Sequence, residues 1–139
     1  MTDDDQLNEM GDVTLGVVTT GPYSASHPSE TNKSFVKAFK AANGDMRPNF
    51  MAVFGYDGMR VIYDAVKKTD GKGEGAALVE AMKGAAWESP RGPVMIDPKT
   101  RDIVQDIYLR KVERVDGQLY NQEFSSVKQV RDPAKAEKE

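Results

Sequence analysis

Residues 103–130 read IVQDIYLRKVERVDGQLYNQEFSSVKQV and decide the fold of the C-terminal half of the chain. They predict a long strand over Ile103–Val115 and a second strand over Gln118–Val130. Asp116-Gly117 lies between the two runs and is a strong hairpin signal, because both residue types accept the positive φ angles of a two-residue turn. The sequence therefore predicts a β-hairpin as the closing element.

Upstream of this hairpin the sequence predicts first a strand and then a helix. Val13–Thr20 is a β-branched run that stops at Gly21-Pro22, which is typical of a short buried strand ending in a turn. The helix that follows has Ser29 and Thr31 as candidate N-caps, and Asn43-Gly44 supplies its C-terminal stop.

Two more helices and a short strand are predicted before the hairpin. The second helix runs from Val53 to Lys68, and its apolar face is expected to point inward; this face consists of Met59, Ile62, Tyr63 and Val66. A third helix is predicted over Ala76–Lys83, and Val94–Asp97 is long enough only for a short strand. The order indicates an α/β fold whose sheet is incomplete within this chain.

Composition bounds the classes of function. The chain has 139 residues, which suits one domain, and 29% of them are charged with a net charge of −3. The pI near 5.3 indicates no excess of basic residues for binding nucleic acid. The lack of cysteine excludes a disulfide scaffold. Residues 1–12 are predicted to be an acidic flexible terminus that is not a secretory signal, and residues 132–139 a charged tail.

The sequence offers no constellation typical of catalysis, a metal site or a cofactor site. His27 is the only histidine and is expected to be a solvated loop residue. The glycine-rich run 71–75 lacks the Ser or Thr that follows the lysine of a phosphate-binding loop. Asp97, Asp102 and Asp106 are expected to form the charged edge of a hairpin. We therefore predict that the protein is not an enzyme and has no catalytic residues, metal or cofactor.

Aromatic and apolar side chains cluster near predicted element ends. Tyr23 follows the first strand, and Phe50, Met51 and Phe54 crowd the start of the second helix. Side chains at such positions often line a small-molecule cleft, although ordinary core packing explains the same pattern.

Four segments in register resemble the C-terminal part of type I periplasmic binding proteins, in the leucine/isoleucine/valine-binding branch. They are GVVTTGPYSASHPSETNKSFVKAFKAANG, AVFGYDGMRVIYDAVKK, SPRGPVMIDPKTRDIV and YLRKVERVDGQLYN. The second departs from the family's Tyr-Asp-Ala pattern, because Gly58 replaces the alanine. The resemblance covers Gly16–Pro133. It implies that residues 13–131 form part of a two-lobed protein, with a hinge crossing near residues 21–31.

The resemblance also implies a function. It predicts a periplasmic solute-binding component of an ABC importer for branched-chain amino acids or related carboxylates, with a membrane permease as partner. Met51 matches a position that contacts the solute side chain, Phe50 or Phe54 would share this role, and Tyr23 would lie on the hinge side. The first lobe's strands, which grip the solute carboxylate in this family, have no counterpart here, so the chain alone is expected to bind amino acids negligibly.

A second hypothesis is a self-associating interaction module. A sheet that lacks neighbours exposes apolar faces and strand edges, which favour a strand-exchanged homodimer without independent ligand binding.

Overall fold

The structure is a computed structural model that describes residues 2–136. Within that range the helices are α1 (Leu7–Met10), α2 (Glu30–Ala42), α3 (Phe50–Lys68), α4 (Gly75–Met82) and α5 (Pro133–Ala136). The strands are β1 (Val18–Gly21), β2 (Ala86–Ser89), β3 (Gly92–Ile96), β4 (Ile103–Val115) and β5 (Gln118–Val130). All strand pairs are antiparallel and form one sheet. The predicted α/β fold class is confirmed.

Strand β4 is the centre of the sheet. One of its edges pairs with β5 along nearly its whole length, and the other pairs with β3 at its start and with β1 farther along. Asp116 and Gly117 join β4 to β5 with φ angles of 49° and 79°, as the two-residue turn requires. Both hairpin strands have the bounds that the sequence predicted.

The helix caps explain why α2 and α3 begin where they do. The Ser29 side chain accepts a hydrogen bond from the backbone N–H of Asn32, which confirms one of the two predicted N-caps of α2. Asn49 caps α3 in the same way through the N–H of Ala52, so this helix begins three residues before the predicted Val53. Asn43 is the C-cap of α2, as expected.

The predicted inward face of α3 is wrong. The helix buries Val53, Asp57 and Ala65 instead. The predicted face is between 37% and 59% exposed; its residues are Met59, Ile62, Tyr63 and Val66. Helical spacing identifies an apolar face but does not say which chain covers it, and nothing among residues 2–136 covers this one.

The first predicted strand is shorter and more exposed than expected. Residues Asp12–Thr14 form a 3₁₀ turn, Gly16 has a φ of 81°, and pairing begins only at Val18. Val13 is 85% exposed and Val18 60% exposed. The strand β1 pairs with β4 alone, so a β-branched run marks an edge here and not a buried strand.

The N-terminal residues pack against the sheet, which differs from the expected flexible segment. Leu7 is fully buried in a cluster with Val112 and Leu119. The two oxygens of Asp4 accept hydrogen bonds from Ser24, from the N–H of Ala25 and from the N–H and side chain of Asn121. At the other end, the predicted charged tail begins with α5, and residues 137–139 lie outside the described part of the chain.

The sequence analysis did not predict β2, because Ala86–Ser89 is short and precedes a Pro-Arg-Gly turn that indicated only the end of a helix.

Within the described residues, none of the helices combines the length and apolarity that crossing a membrane requires.

Candidate functional site

An open cleft of about 420 Å³ lies where β1 ends against the start of α3. This volume falls within the range of small-molecule sites, roughly 300–1,000 Å³. The lining residues come from the N-terminal segment, β1 and its turn, α3 and β4; they are Thr2, Asp3, Thr19, Thr20, Gly21, Pro22, Phe50, Phe54 and Arg110. Among the described residues, the cleft therefore combines an aromatic wall with one cationic and one acidic side chain.

The aromatic wall is formed by Phe50 and Phe54, one turn apart on α3. Their rings meet edge to face with centroids 5.6 Å apart, an arrangement that aromatic pairs prefer. Phe54 is 39% exposed, so its ring is available to a ligand. The guanidinium of Arg91 lies 4.5 Å from the centre of the Phe54 ring and makes a cation–π contact with it.

A buried polar network holds α3 against the β2–β3 hairpin. Asp57 accepts hydrogen bonds from Arg91 Nε at 2.8 Å, Ser89 Oγ at 2.9 Å and Trp87 Nε1 at 3.1 Å. Asp57 and Arg91 are only 3% and 4% exposed, so the ion pair is shielded from water. The same Arg91 contacts Phe54, and the network thus fixes the helix that carries the aromatic wall.

The cationic group of the cleft is Arg110, which points inward from β4 and is 6% exposed. Its Nη1 donates to the carbonyl oxygen of Tyr23, and its Nη2 donates to that of Thr20 at 3.1 Å. Its Nε has no hydrogen-bond partner among the described residues. Burial lowers the pKa of Arg110, and the nearby Asp4 charge opposes that effect.

Gly21 makes this close approach possible. A Cβ at Gly21 would lie 2.7 Å from Arg110 Nη2, so any side chain there collides with the guanidinium. The turn after β1 and the β4 arginine are therefore packed as one unit.

The four sequence-predicted site residues have different environments. Phe50 and Phe54 both line the cleft. Tyr23 is 1% exposed, and its hydroxyl donates to Asn32 Oδ1 at 3.0 Å, so its side chain belongs to the core and burial raises its pKa. Met51 is 64% exposed and is not part of the cleft lining. Their ligand contacts remain predictions.

Arg110 is a charged cleft residue that the sequence analysis did not predict. A signal for it existed, because Arg110 falls in the period-2 row of inward positions that includes Val104, Tyr108 and Val112. An arginine in such a row must be buried among partners, which marks it for attention.

The expectation that His27 is a solvated loop residue is wrong. Its Nδ1 lies 2.8 Å from Glu123 Oε2, and both side chains are close to 90% buried, at 12% and 13% exposure. Its ring also packs 5.2 Å from that of Tyr108. The loop that contains His27 folds back onto the sheet, and a Ser/Pro-rich composition gave no sign of this.

The expectation of a charged hairpin edge is also wrong, because β4 is central. Asp97 and Asp106 are each 2% exposed. Asp97 accepts from the N–H groups of the turn at residues 99–100 and pairs with Arg131; the turn's hydrogen bonds, Thr100 first, lower the pKa of Asp97. Asp106 accepts from Lys128 Nζ at 2.9 Å. Across residues 2–136, no cluster of three or more acidic, histidine or cysteine residues is arranged to hold a metal ion.

Comparison with known proteins gives a consistent result. A family profile described as "Periplasmic binding protein" matches residues 1–118. The chain is 45% identical over 135 residues to the Leu/Ile/Val-binding protein homolog 6 of Brucella abortus (strain 2308), covering 96% of this chain and 35% of that protein.

Solved structures show the same similarity. The chain is similar to the solute binding protein of an ABC transporter from Rhodopseudomonas palustris BisB5, solved in complex with 3,4-dihydroxybenzoic acid, with 61% identity and a TM-score of 0.93. It is also similar to one from R. palustris HaA2 in complex with p-hydroxybenzoic acid, with 38% identity and a TM-score of 0.88. Each match covers 96% of this chain and 37% of the other.

The chain thus spans just over a third of the length of these relatives and corresponds to part of a two-lobed protein. Such proteins bind solutes and are not enzymes, in agreement with the sequence analysis. The resemblance that the four sequence segments indicated is confirmed, and the chain belongs to the periplasmic binding protein family.

Proposed function

We propose that this chain forms one wall of the solute cleft in the periplasmic binding component of an ABC importer for small aromatic carboxylates, such as hydroxybenzoates. The observation that carries the proposal is the Phe50–Phe54 pair, which faces a cleft of about 420 Å³. Edge-to-face and offset stacking against such a pair favours a flat aromatic ring. The two R. palustris relatives solved with hydroxylated benzoic acids support the same class of solute.

The cleft in this chain is only part of a binding site. In a two-lobed binding protein, a second lobe closes over the solute, and the closed form is the one that a membrane permease engages. Because this chain spans 37% of the length of the R. palustris BisB5 relative, the other wall belongs to residues outside it. We therefore expect the chain alone to bind neither hydroxybenzoates nor leucine with measurable affinity.

Isothermal titration calorimetry on the complete gene product that contains this chain tests the proposal. We expect 3,4-dihydroxybenzoate and 4-hydroxybenzoate to bind in the micromolar range or tighter, about −8 kcal/mol or below. Leucine and valine serve as the comparison ligands. Tight binding of leucine with no binding of either benzoate contradicts the aromatic assignment, and a lack of binding to all four contradicts a solute-binding role for these substrates.

A second candidate, a self-associating module, is favoured by the exposed apolar face of α3. Tyr63 is 59% exposed, and Ile62 beside it is 42% exposed. Exposed apolar faces of this kind mark interaction surfaces. Native mass spectrometry of the chain distinguishes the candidates: a dimer that Ile62→Glu converts to a monomer supports self-association, and a monomer at all concentrations contradicts it.

A further inference from the structure

Asp3 is the acidic side chain among the described lining residues of the cleft, and its carboxylate is open to a hydrogen-bond donor. The side chain is partly exposed. The neighbouring Asp4 and Asp5 both accept hydrogen bonds from side chains of the fold. No contact among residues 2–136 gives the Asp3 carboxylate such a donor. The cleft therefore presents an acceptor that a bound solute can reach.

The cation nearest to this acceptor in the cleft is already engaged. The terminal nitrogens of Arg110 donate to the backbone carbonyl oxygens of Tyr23 and Thr20. Burial, followed by the charge of Asp5, raises the pKa of Asp3, whereas the charge of Arg110 lowers it. A partly desolvated carboxylate gains more from a donated hydrogen bond than one in bulk water, because the local dielectric constant is lower.

The charge of Asp3 limits which end of an aromatic acid can lie beside it. A solute carboxylate there would place two like charges together in a partly buried site, which is unfavourable. A ring hydroxyl is a neutral donor, and its hydrogen bond to a carboxylate is charge-assisted. The family resemblance assigns the solute carboxylate to strands of the first lobe, which have no counterpart in this chain. The hydroxylated end of the ring is therefore the end that suits this wall.

The cleft brings this acceptor and the aromatic wall to one space. Phe50 and Phe54 line it from α3, and Asp3 lines it from the segment before α1. A hydroxybenzoate has the matching chemistry, with an apolar ring for the phenylalanines and a hydroxyl for the carboxylate. We propose that Asp3 accepts a hydrogen bond from a ring hydroxyl of the solute and so selects hydroxylated benzoates over benzoate. The inference rests on the proposed aromatic-acid function and names the group that this wall recognises.

The selectivity follows from what benzoate would leave behind. When the cleft closes on benzoate, Asp3 loses water and receives no donor in its place. A polar group that is buried without a partner costs more than a hydrogen bond contributes on average. Sites that hydrogen-bond a substrate hydroxyl reject the analogue without it for this reason.

The test compares 4-hydroxybenzoate with benzoate, two acids that differ by one hydroxyl. Calorimetry on the complete gene product measures both acids with the parent protein, Asp3→Ala and Asp3→Asn. We expect the parent to prefer 4-hydroxybenzoate, and Asp3→Ala to weaken that acid roughly 10- to 150-fold, the effect of losing one hydrogen bond to a charged group. Benzoate should change less than about 3-fold or bind more tightly, because no carboxylate is then buried without a donor. Glu9→Ala removes the same charge from an exposed position of the same segment and should leave both affinities unchanged.

The ratio of the two affinities separates a solute contact from a structural role. If Asp3 only supports the fold, its loss weakens both acids equally and keeps the ratio of the parent, which overturns the inference. A parent that binds both acids equally overturns it as well, and so does a variant that loses leucine binding but keeps 4-hydroxybenzoate.

The second variant keeps the test decisive if Asp3→Ala does not fold. Asp3→Asn retains the shape of the side chain and one carbonyl acceptor but no charge, so we expect a ratio between those of the parent and Asp3→Ala. An Asp3→Asn ratio equal to that of the parent overturns the inference. A parent protein that binds no aromatic acid refutes the proposed function itself, which is a different outcome.

Discussion

Replacing Asp57 by asparagine tests whether the buried network fixes α3, the helix of the aromatic wall, against the β2–β3 hairpin. The change keeps the shape of the side chain and removes its charge. Arg91 is then left as a buried cation, because its guanidinium is 4% exposed and its ion pair with Asp57 is lost. Ser89 and Trp87 also lose a charged acceptor.

The expected loss of stability in Asp57→Asn follows from the burial of both Asp57 and Arg91. Removing one member of a buried ion pair costs about 3–5 kcal/mol, because the other charge stays buried without compensation. With a urea m-value near 2 kcal/mol/M, this lowers the unfolding midpoint by about 1.5–2.5 M. The double replacement Asp57→Leu with Arg91→Met removes both charges, and we expect it to recover most of the loss.

The chain contains its own reporter for this experiment. Trp87 is the single tryptophan, and its Nε1 donates to Asp57, so its emission follows both the network and global unfolding. Asp64→Asn on the same helix is the control, because the Arg60–Asp64 pair is about half exposed on each side and such pairs contribute roughly 0–1 kcal/mol. The reasoning is refuted if Asp57→Asn unfolds within about 1 kcal/mol of the parent chain, or if the double variant is the less stable of the two.

Three further predictions concern the turn, the wall and the pH dependence. Gly21→Ala is expected to destabilise the chain by about 1–3 kcal/mol, since its Cβ would collide with a buried guanidinium; Gly58→Ala meets no atom within 4 Å and should stabilise α3 by up to ~1 kcal/mol in the same urea titration. Phe54→Ala is expected to weaken hydroxybenzoate binding by the complete gene product about 10-fold, whereas Met51→Ala should leave the affinity unchanged. If calorimetry gives the reverse order, Met51 contacts the solute, as the family resemblance implies, and Phe54 does not. Asp97 has a lowered pKa in the folded chain, so its stabilising contribution is present above the ordinary value of 3.8 and is lost as the pH falls through the folded value. The difference in free energy of unfolding between Asp97→Asn and the parent chain should therefore become smaller when urea titrations are moved from pH 7 to below pH 3.8. A difference that stays constant with pH contradicts this prediction.

The sequence predicted the elements whose ends are marked by local cap or turn residues. Strands β4 and β5 were located because Asp116-Gly117 fixes the turn between them, and α2 because Ser29 and Asn43 mark its ends. The family followed from four short segments in register. These signals are local, so they need no knowledge of tertiary partners.

The sequence did not predict which faces are buried. Apolar spacing on α3 pointed to the face that includes Ile62, whereas the fold buries Asp57 because Arg91 arrives from a distant hairpin to pair with it. For the same reason β4 hides Asp106 and Arg110 on its inner face. Partners supplied by tertiary structure override the simple rule that polar residues face water.

The candidate site was predicted in part. Phe50 and Phe54 were expected at the cleft and do line it. Tyr23 was expected there because it follows β1, but its hydroxyl finds Asn32 in the core and only its backbone carbonyl oxygen touches the cleft arginine. A residue's place at a strand end does not determine which way its side chain turns.

The most direct test of the central claim is a crystal structure of the complete gene product with 3,4-dihydroxybenzoate bound. The account predicts that the aromatic ring lies in the cleft at the end of β1, within about 4 Å of Phe54. A ligand that lies elsewhere, for example in the open groove that Ile62 of α3, Met82 of α4 and Trp87 of β2 help to line, would contradict it.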